Sequence, residues 1–263
     1  MKTRHFLFLA VAVAGCAAAL PWASAQTVEN RSDYSVSLVG LPVASMSFVT
    51  TVDGAGYRIS GSMRTSALTD IVGKTRGTAE ASGRVRGDRF QATSYLVSYT
   101  SGNRTHRTEM RLRNGNVQSA VNTPQRKVKP ANWVPVDASH LRAVVDPLSS
   151  LIIPVGGKKG AQVCNRSLPI FDGESRIDLV LSDKGVRPYS TTGFSGDAIV
   201  CTVRFIPKAG YRKGHSSIEY MRKLAGMEIW FGKHPGGDFF APVYAKIPTK
   251  IGQVTVAATR FGG

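Results

Sequence analysis

The chain has 263 residues, with 34 Lys and Arg against 17 Asp and Glu for a formal charge of +17, 42% apolar residues, 27 Gly and 13 Pro. That apolar content is enough to bury a sizeable core, which excludes a disordered, collagen-like or coiled-coil chain. The length fits one or two domains.

Lys2, Arg4 and His5 precede an apolar run over residues 6–15, and Ala23-Ser24-Ala25 supplies a small-residue cleavage site. Residues 1–25 therefore read as a secretory signal peptide, with the mature chain starting at Gln26 and the periplasm as the expected location. Val13-Ala14-Gly15-Cys16 is an alternative signal, a lipobox in which Cys16 is lipidated and kept as an anchor. Against it stand residues 17–22, apolar where a lipoprotein tether is usually polar. No later stretch reaches the roughly 18 apolar residues a membrane span needs, so the processed chain is expected not to be transmembrane. Losing Lys2 and Arg4 and no acid leaves a charge of +15. On an exported protein such charge points to a lipid or another anionic envelope component as partner, and away from nucleic acid.

The mature chain is dominated by period-two segments between turn residues, the pattern of antiparallel sheet. Segments 33–39 and 43–52 open it, and Asp53-Gly54 supplies a tight turn before 57–63. Arg84 and Arg86 then alternate with smaller residues, and Tyr95, Val97 and Tyr99 form a core-facing row. Asn114-Gly115 separates 104–113 from 116–120; in the first of these Thr108, Met110 and Leu112 alternate with Arg107, Glu109, Arg111 and Arg113. One face of that hairpin is drier, and the other is mostly cationic. Residues 58–129 hold 14 Lys and Arg and four acids, so the basic excess belongs to a sheet face with Arg84, Arg86, Arg107, Arg111 and Arg113 as its candidate anion contacts.

The Pro- and Lys-rich stretch 123–135 reads as a connection within a single β-rich domain, 26–263. Asp146-Pro147-Leu148 is the one good helix start, with Asp as N-cap and Pro where its missing N–H costs nothing. Leu148, Leu151 and Ile152 would face one side and plug the concave side or an open end of the sheet; 139–145 is a second short helical candidate. Strand patterns resume at 176–181, 198–206, 226–232, 242–247 and 253–260. About a dozen strands is too many for a flat open sheet. The expected fold is all-β and mainly antiparallel, a strongly curved sheet forming a β-spiral or incomplete barrel, with one or two short helices near 139–152.

Cys164 and Cys201 are the pair left after processing, read as one disulfide with a redox thiol as the alternative, although no C-x-x-C spacing is present. Gly193-Phe194-Ser195-Gly196 and Gly214-His215-Ser216-Ser217 both fall short of a nucleophile elbow. His106, His140, His215 and His234 have no metal-ligand spacing, and Gly54-Ala55-Gly56 opens a strand instead of a dinucleotide fold. No catalytic residue, metal or cofactor is expected.

Asp146-Pro147, then Asp172-Gly173 with Asp178 following it, the run 201–211 and Trp230 ahead of Pro242, in that order and spacing, resemble the periplasmic domain-of-unknown-function family 3108. The resemblance implies a secreted β-spiral or open barrel associated with envelope integrity, and no reaction. The expected function is a non-enzymatic periplasmic envelope protein whose concave sheet binds an apolar or lipid-like ligand while its basic face meets anionic envelope components. A periplasmic assembly factor that offers an edge strand to a protein partner is the alternative, and a cell-wall polymer hydrolase comes third.

Overall fold

The computed structural model describes residues 28–53, 55–66, 74–125 and 129–262. The signal peptide, Cys16, Gly54 of the first expected turn and residues 126–128 of the expected connection lie outside the described residues. Among the described residues the strands are β1 (Val28–Leu38), β2 (Leu41–Asp53), β3 (Gly56–Thr65), β4 (Thr75–Arg86), β5 (Arg89–Ser101), β6 (Arg104–Arg113), β7 (Asn116–Thr123), β8 (Trp133–Val134), β9 (Ile153–Pro154), β10 (Arg166–Phe171), β11 (Arg176–Ser190), β12 (Ser195–Ala209), β13 (Tyr211–Arg212), β14 (Met227–Lys233), β15 (Phe239–Thr249) and β16 (Gly252–Phe261). One curved, antiparallel sheet runs β10-β11-β12-β14-β15-β16-β1-β2-β3-β4-β5-β6-β7, with β9 paired to β15 and a small β8–β13 ribbon apart.

The alternation in sequence explains the faces. In β6, Met110 and Leu112 are buried while Arg107, Glu109, Arg111 and Arg113 are exposed. Asn114 and Gly115 both take positive φ, 51° and 74°, which gives the β6–β7 hairpin the twist its strands require. The curvature is set by what the inner face must bury. Phe90 of β5 packs edge-on against Phe239 of β15, with ring centroids 6.3 Å apart, although five strands intervene in the sheet order. Tyr34, Tyr57, Tyr95, Met110 and Phe261 belong to the same interior cluster.

β10 and β7 are the two ends of this sheet, and the chain brings them face to face without a strand ladder. Val145 donates to the Pro169 carbonyl (2.9 Å) and accepts from the Phe171 amide (3.0 Å), a parallel bridge to β10. Val144, next to it, donates to the Gly115 carbonyl at the tip of the β6–β7 hairpin (2.7 Å). Farther along, the Asn122 side chain of β7 donates to the Gly173 carbonyl in the β10–β11 turn (2.9 Å). A single crossing segment thus serves both edges, whose open backbone groups are otherwise a liability.

Short helical turns flank that segment. Ala138–Leu141 and Ser149–Leu151 are both 3-10 turns; Asp137 caps the first, and the Asp146 carboxylate accepts from the Leu148 and Ser149 amides at the second. Pro154 and Gly156 end this stretch before an α-helix can grow. Two α-helices were not legible as such: α1 (Ala161–Cys164) and α2 (Ser216–Lys223), the latter capped by His215. Cys164 of α1 is disulfide-bonded to Cys201 of β12, with Cα atoms 5.4 Å apart, inside a second buried cluster that includes Leu181, Phe231 and Phe240. No redox reading is needed for a pair that is fully buried.

Gly173 measures how close the two edges stand. Its φ is +101°, and an added Cβ would lie 2.2 Å from Thr108 Cγ2 of β6. Gly87, at the β4–β5 tip, also has positive φ (+56°) but open space around it. Gly173→Ala is expected to cost about 2–3 kcal/mol, against about 1 kcal/mol for Gly87→Ala, in urea unfolding; equal losses would mean that the edges are not in contact.

Candidate functional site

The interior is not completely filled. A cavity of about 370 Å³ opens off the main core, between Met46 and Phe48 of β2, Ile229 of β14, and Ala245 and Ile247 of β15. Leu148 and Leu151 beside the Asp146 turn form one wall, and Met221 of α2 lies over it. Polar side chains on the lining are few: Ser32, Thr50 and Glu228, since the Tyr34 hydroxyl is taken up by the Pro242 carbonyl at 2.8 Å. A space of this size and chemistry suits a hydrocarbon chain.

Glu228 supplies the charged part of the rim. Its carboxylate holds Lys184 at 2.5 Å and Lys246 at 3.6 Å, and accepts from the Trp230 indole at 3.0 Å. Burial pushes this carboxyl up, but the hydrogen bonds from Lys184 and Trp230 and the two ammonium charges outweigh it, so Glu228 sits below the ordinary glutamate range. Trp230 in turn packs against Tyr189 and Tyr244, with ring centroids 5.0 Å and 5.4 Å away. Nothing in the local sequence announced this group, because Lys184, Glu228 and Lys246 come together only through the pairing of β11, β12, β14 and β15.

Arg84 and Arg86 of β4 and Arg107, Arg111 and Arg113 of β6 are all exposed on the outer face, opposite the buried Ala81, Met110 and Leu112. Arg107 pairs with Glu109 at 2.7 Å. Among the described residues no carboxylate lies within ion-pairing distance of the other four. The motif residues fall into separate structural roles. Asp146 and Pro147 form the turn that enters the interior, and the Asp172 carboxylate accepts from the Glu174 and Ser175 amides to shape the turn at Gly173. Asp178 pairs with Arg176 and Lys208, and Trp230 holds Glu228.

The histidines are dispersed. His106 stacks on Tyr99, His140 pairs with Asp137, His215 caps α2, and His234 is buried against Phe239 and Phe261. Among the described residues no three His, Cys, Asp or Glu side chains are grouped to hold a metal. α2 is the feature that sequence reading missed. Its signal was the three-residue spacing of Ile218 and Met221, with Glu219 and Arg222 between Gly214 and Gly226.

A family model described as a protein of unknown function, DUF3108, matches residues 33–259. The chain belongs to this family. No curated protein matches the DUF3108 chain. Among solved structures it is similar to a beta-barrel-like protein of domain of unknown function DUF1849 from Brucella abortus, at 10% identity and a TM-score of 0.47, covering 89% of this chain and 97% of that one.

Asp146 is the one fully buried acid in the motif set. Its Oδ1 accepts two amides, while its Oδ2 has no hydrogen-bond partner, and the nearby Tyr57 hydroxyl is engaged with Ser149 at 2.6 Å. Burial pushes the carboxyl above the ordinary aspartate range, against the hydrogen bonds from Ser149 and Leu148 that pull it down. Just above the ordinary value the folded chain therefore binds more protons here than the unfolded chain, and stability from this group falls as pH rises through that window. The unfolding free energy of the wild type relative to Asp146→Asn is expected to decline as the pH rises above the ordinary aspartate range in urea titrations; a pH-independent difference would contradict the raised value.

Proposed function

We propose that this chain is a non-enzymatic envelope protein, exported to the periplasm, that holds an apolar, lipid-like ligand in the concavity of its sheet. The observation that carries this reading is the unfilled apolar cavity between β2, β14, β15 and the Asp146 turn. A folded chain has reason to close such a space with its own side chains, because each void forfeits packing contacts. A ligand's methylenes restore them, and each methylene moved out of water contributes about 0.8 kcal/mol. The exposed arginines of β4 and β6 give the outer face a matching preference for an anionic leaflet, where lipid ligands are found. The Cys164–Cys201 bridge fits an oxidising compartment.

An assembly factor working by strand addition would keep free edges and a filled interior. Here the crossing segment and the Asn122–Gly173 contact occupy parts of both edges, which favours the ligand-holding role. A polymer hydrolase would need a nucleophile or a paired acid and base in a cleft, and Glu228 is instead neutralised by two lysines.

Ala245→Trp places an indole in the cavity from the middle of β15. Wild-type protein is expected to bind a fluorescent long-chain fatty acid saturably, and the variant to bind it about ten-fold or more weakly with its thermal midpoint retained. Absence of binding by the wild type, or equal binding by the variant, would count against the reading.

A further inference from the structure

On the other side of the Ser149–Leu151 turn lies a second, larger cleft of about 1110 Å³, at the seam where the sheet edges meet. Its walls are the β4–β5 hairpin tip, the β6–β7 turn at Asn114 and Gly115, residues 143–145 and the stretch 156–169. Ser149 and Ser150 face this cleft, whereas Leu148 and Leu151 face the apolar cavity. The two spaces therefore differ in chemistry and adjoin only at Ile152.

Four cations line the cleft from three segments: Arg86 and Arg89 from the hairpin, Lys158 from the glycine-flanked loop, and Arg166 from β10. Asp88 is the one acid on the lining and is already 3.6 Å from Arg89. Among the described residues no carboxylate stands within ion-pairing distance of Arg86, Lys158 or Arg166. Arg166 is half-buried; one guanidinium nitrogen donates to the Gln162 carbonyl at 3.0 Å, and its Nε has no partner. Burial loosens its hold on the proton most; the Asp88 charge acts the other way, ahead of a smaller repulsion from Arg89. A cation partly withdrawn from water, where one acid already paired with Arg89 stands among four cations, is an arrangement that an anion stabilises.

We propose that the seam cleft is a binding site for a phosphate-bearing ligand, whether a soluble phosphate ester or a phospholipid headgroup. Three guanidinium groups and an ammonium carry more charge than one carboxylate neutralises, and the planar forks of arginine match phosphate oxygens in pairs. The site does not depend on the lipid-holding cavity, since its four cations are absent from that cavity's lining and lie on the opposite side of the partition.

Glycerol 3-phosphate titrated against the full processed chain, followed by ³¹P line broadening and thermal shift, tests it, with phosphatidylglycerol and phosphatidylcholine vesicles as the membrane arm. Saturable glycerol 3-phosphate binding is expected, weakened about ten-fold or more by the exposed pair Arg86→Gln with Arg89→Gln, and by Arg166→Gln. The outer-face set Arg107→Gln, Arg111→Gln and Arg113→Gln is expected to leave it unchanged. Should Arg166→Gln fail to fold, the exposed pair decides. Vesicle binding that the cleft variants lose and glycerol 3-phosphate competes away identifies a headgroup; soluble binding without it identifies a free phosphate ester. Absence of saturable binding to either probe, binding that the cleft variants retain, or succinate binding as tightly as glycerol 3-phosphate would overturn the proposal.

Discussion

A long antiparallel sheet that curls on itself must do something with its two edges, and everything else in this molecule follows from the solution at β7 and β10. These strands form no ladder with each other, yet Val144 and Val145 reach both sides with backbone hydrogen bonds, and Asn122 adds a side-chain bond to Gly173. The crossing segment is short and carries a positive φ at Ala143, so it is held by its partners more than by its own propensity. Because the chain must then continue from the seam, the next residues, Asp146 to Ile152, have nowhere to go but the interior.

That intrusion divides the space inside the curved sheet. Its apolar side chains meet the core and bound the hydrocarbon-lined cavity, while Ser149 and Ser150 face the polar side. One 3-10 turn thereby separates a dry compartment from a basic one. An apolar group and a charged group demand opposite dielectric surroundings, and the partition supplies one on each side. The disulfide stands nearby for a related reason: Cys164 ties the excursion that begins at the seam back to β12, two strands in from the β10 edge.

What the sequence made legible was local. Met110 and Leu112 against Arg111 and Arg113 marked both faces of β6, Asn114-Gly115 marked its hairpin, and Asp146-Pro147 marked a capped turn pointing inward; each depends on neighbours within a few residues. β11 and β12 extend well beyond the expected 176–181 and 198–206, because an irregularity between Asp183 and Val186 lets pairing resume where the alternation breaks. The sites themselves were not legible for the same reason. Glu228 meets Lys184 across the sheet, and Arg166 shares a cleft with Arg86 and Arg89 only because the seam brings β10 to the β4–β5 tip. The outer arginine face was visible, whereas the half-buried Arg166 of the cleft looked like any other strand residue.

Hydrogen–deuterium exchange at single-residue resolution tests the seam most directly. The amides of Val144, Val145 and Phe171 make its backbone bonds, and the account predicts that they exchange as slowly as amides in the middle of the β15–β16 ladder, as one cooperative unit with the sheet. Exchange at the rate of the exposed Gly87 turn would mean that the edges are not latched, and the apolar cavity and the cleft would lose their common foundation.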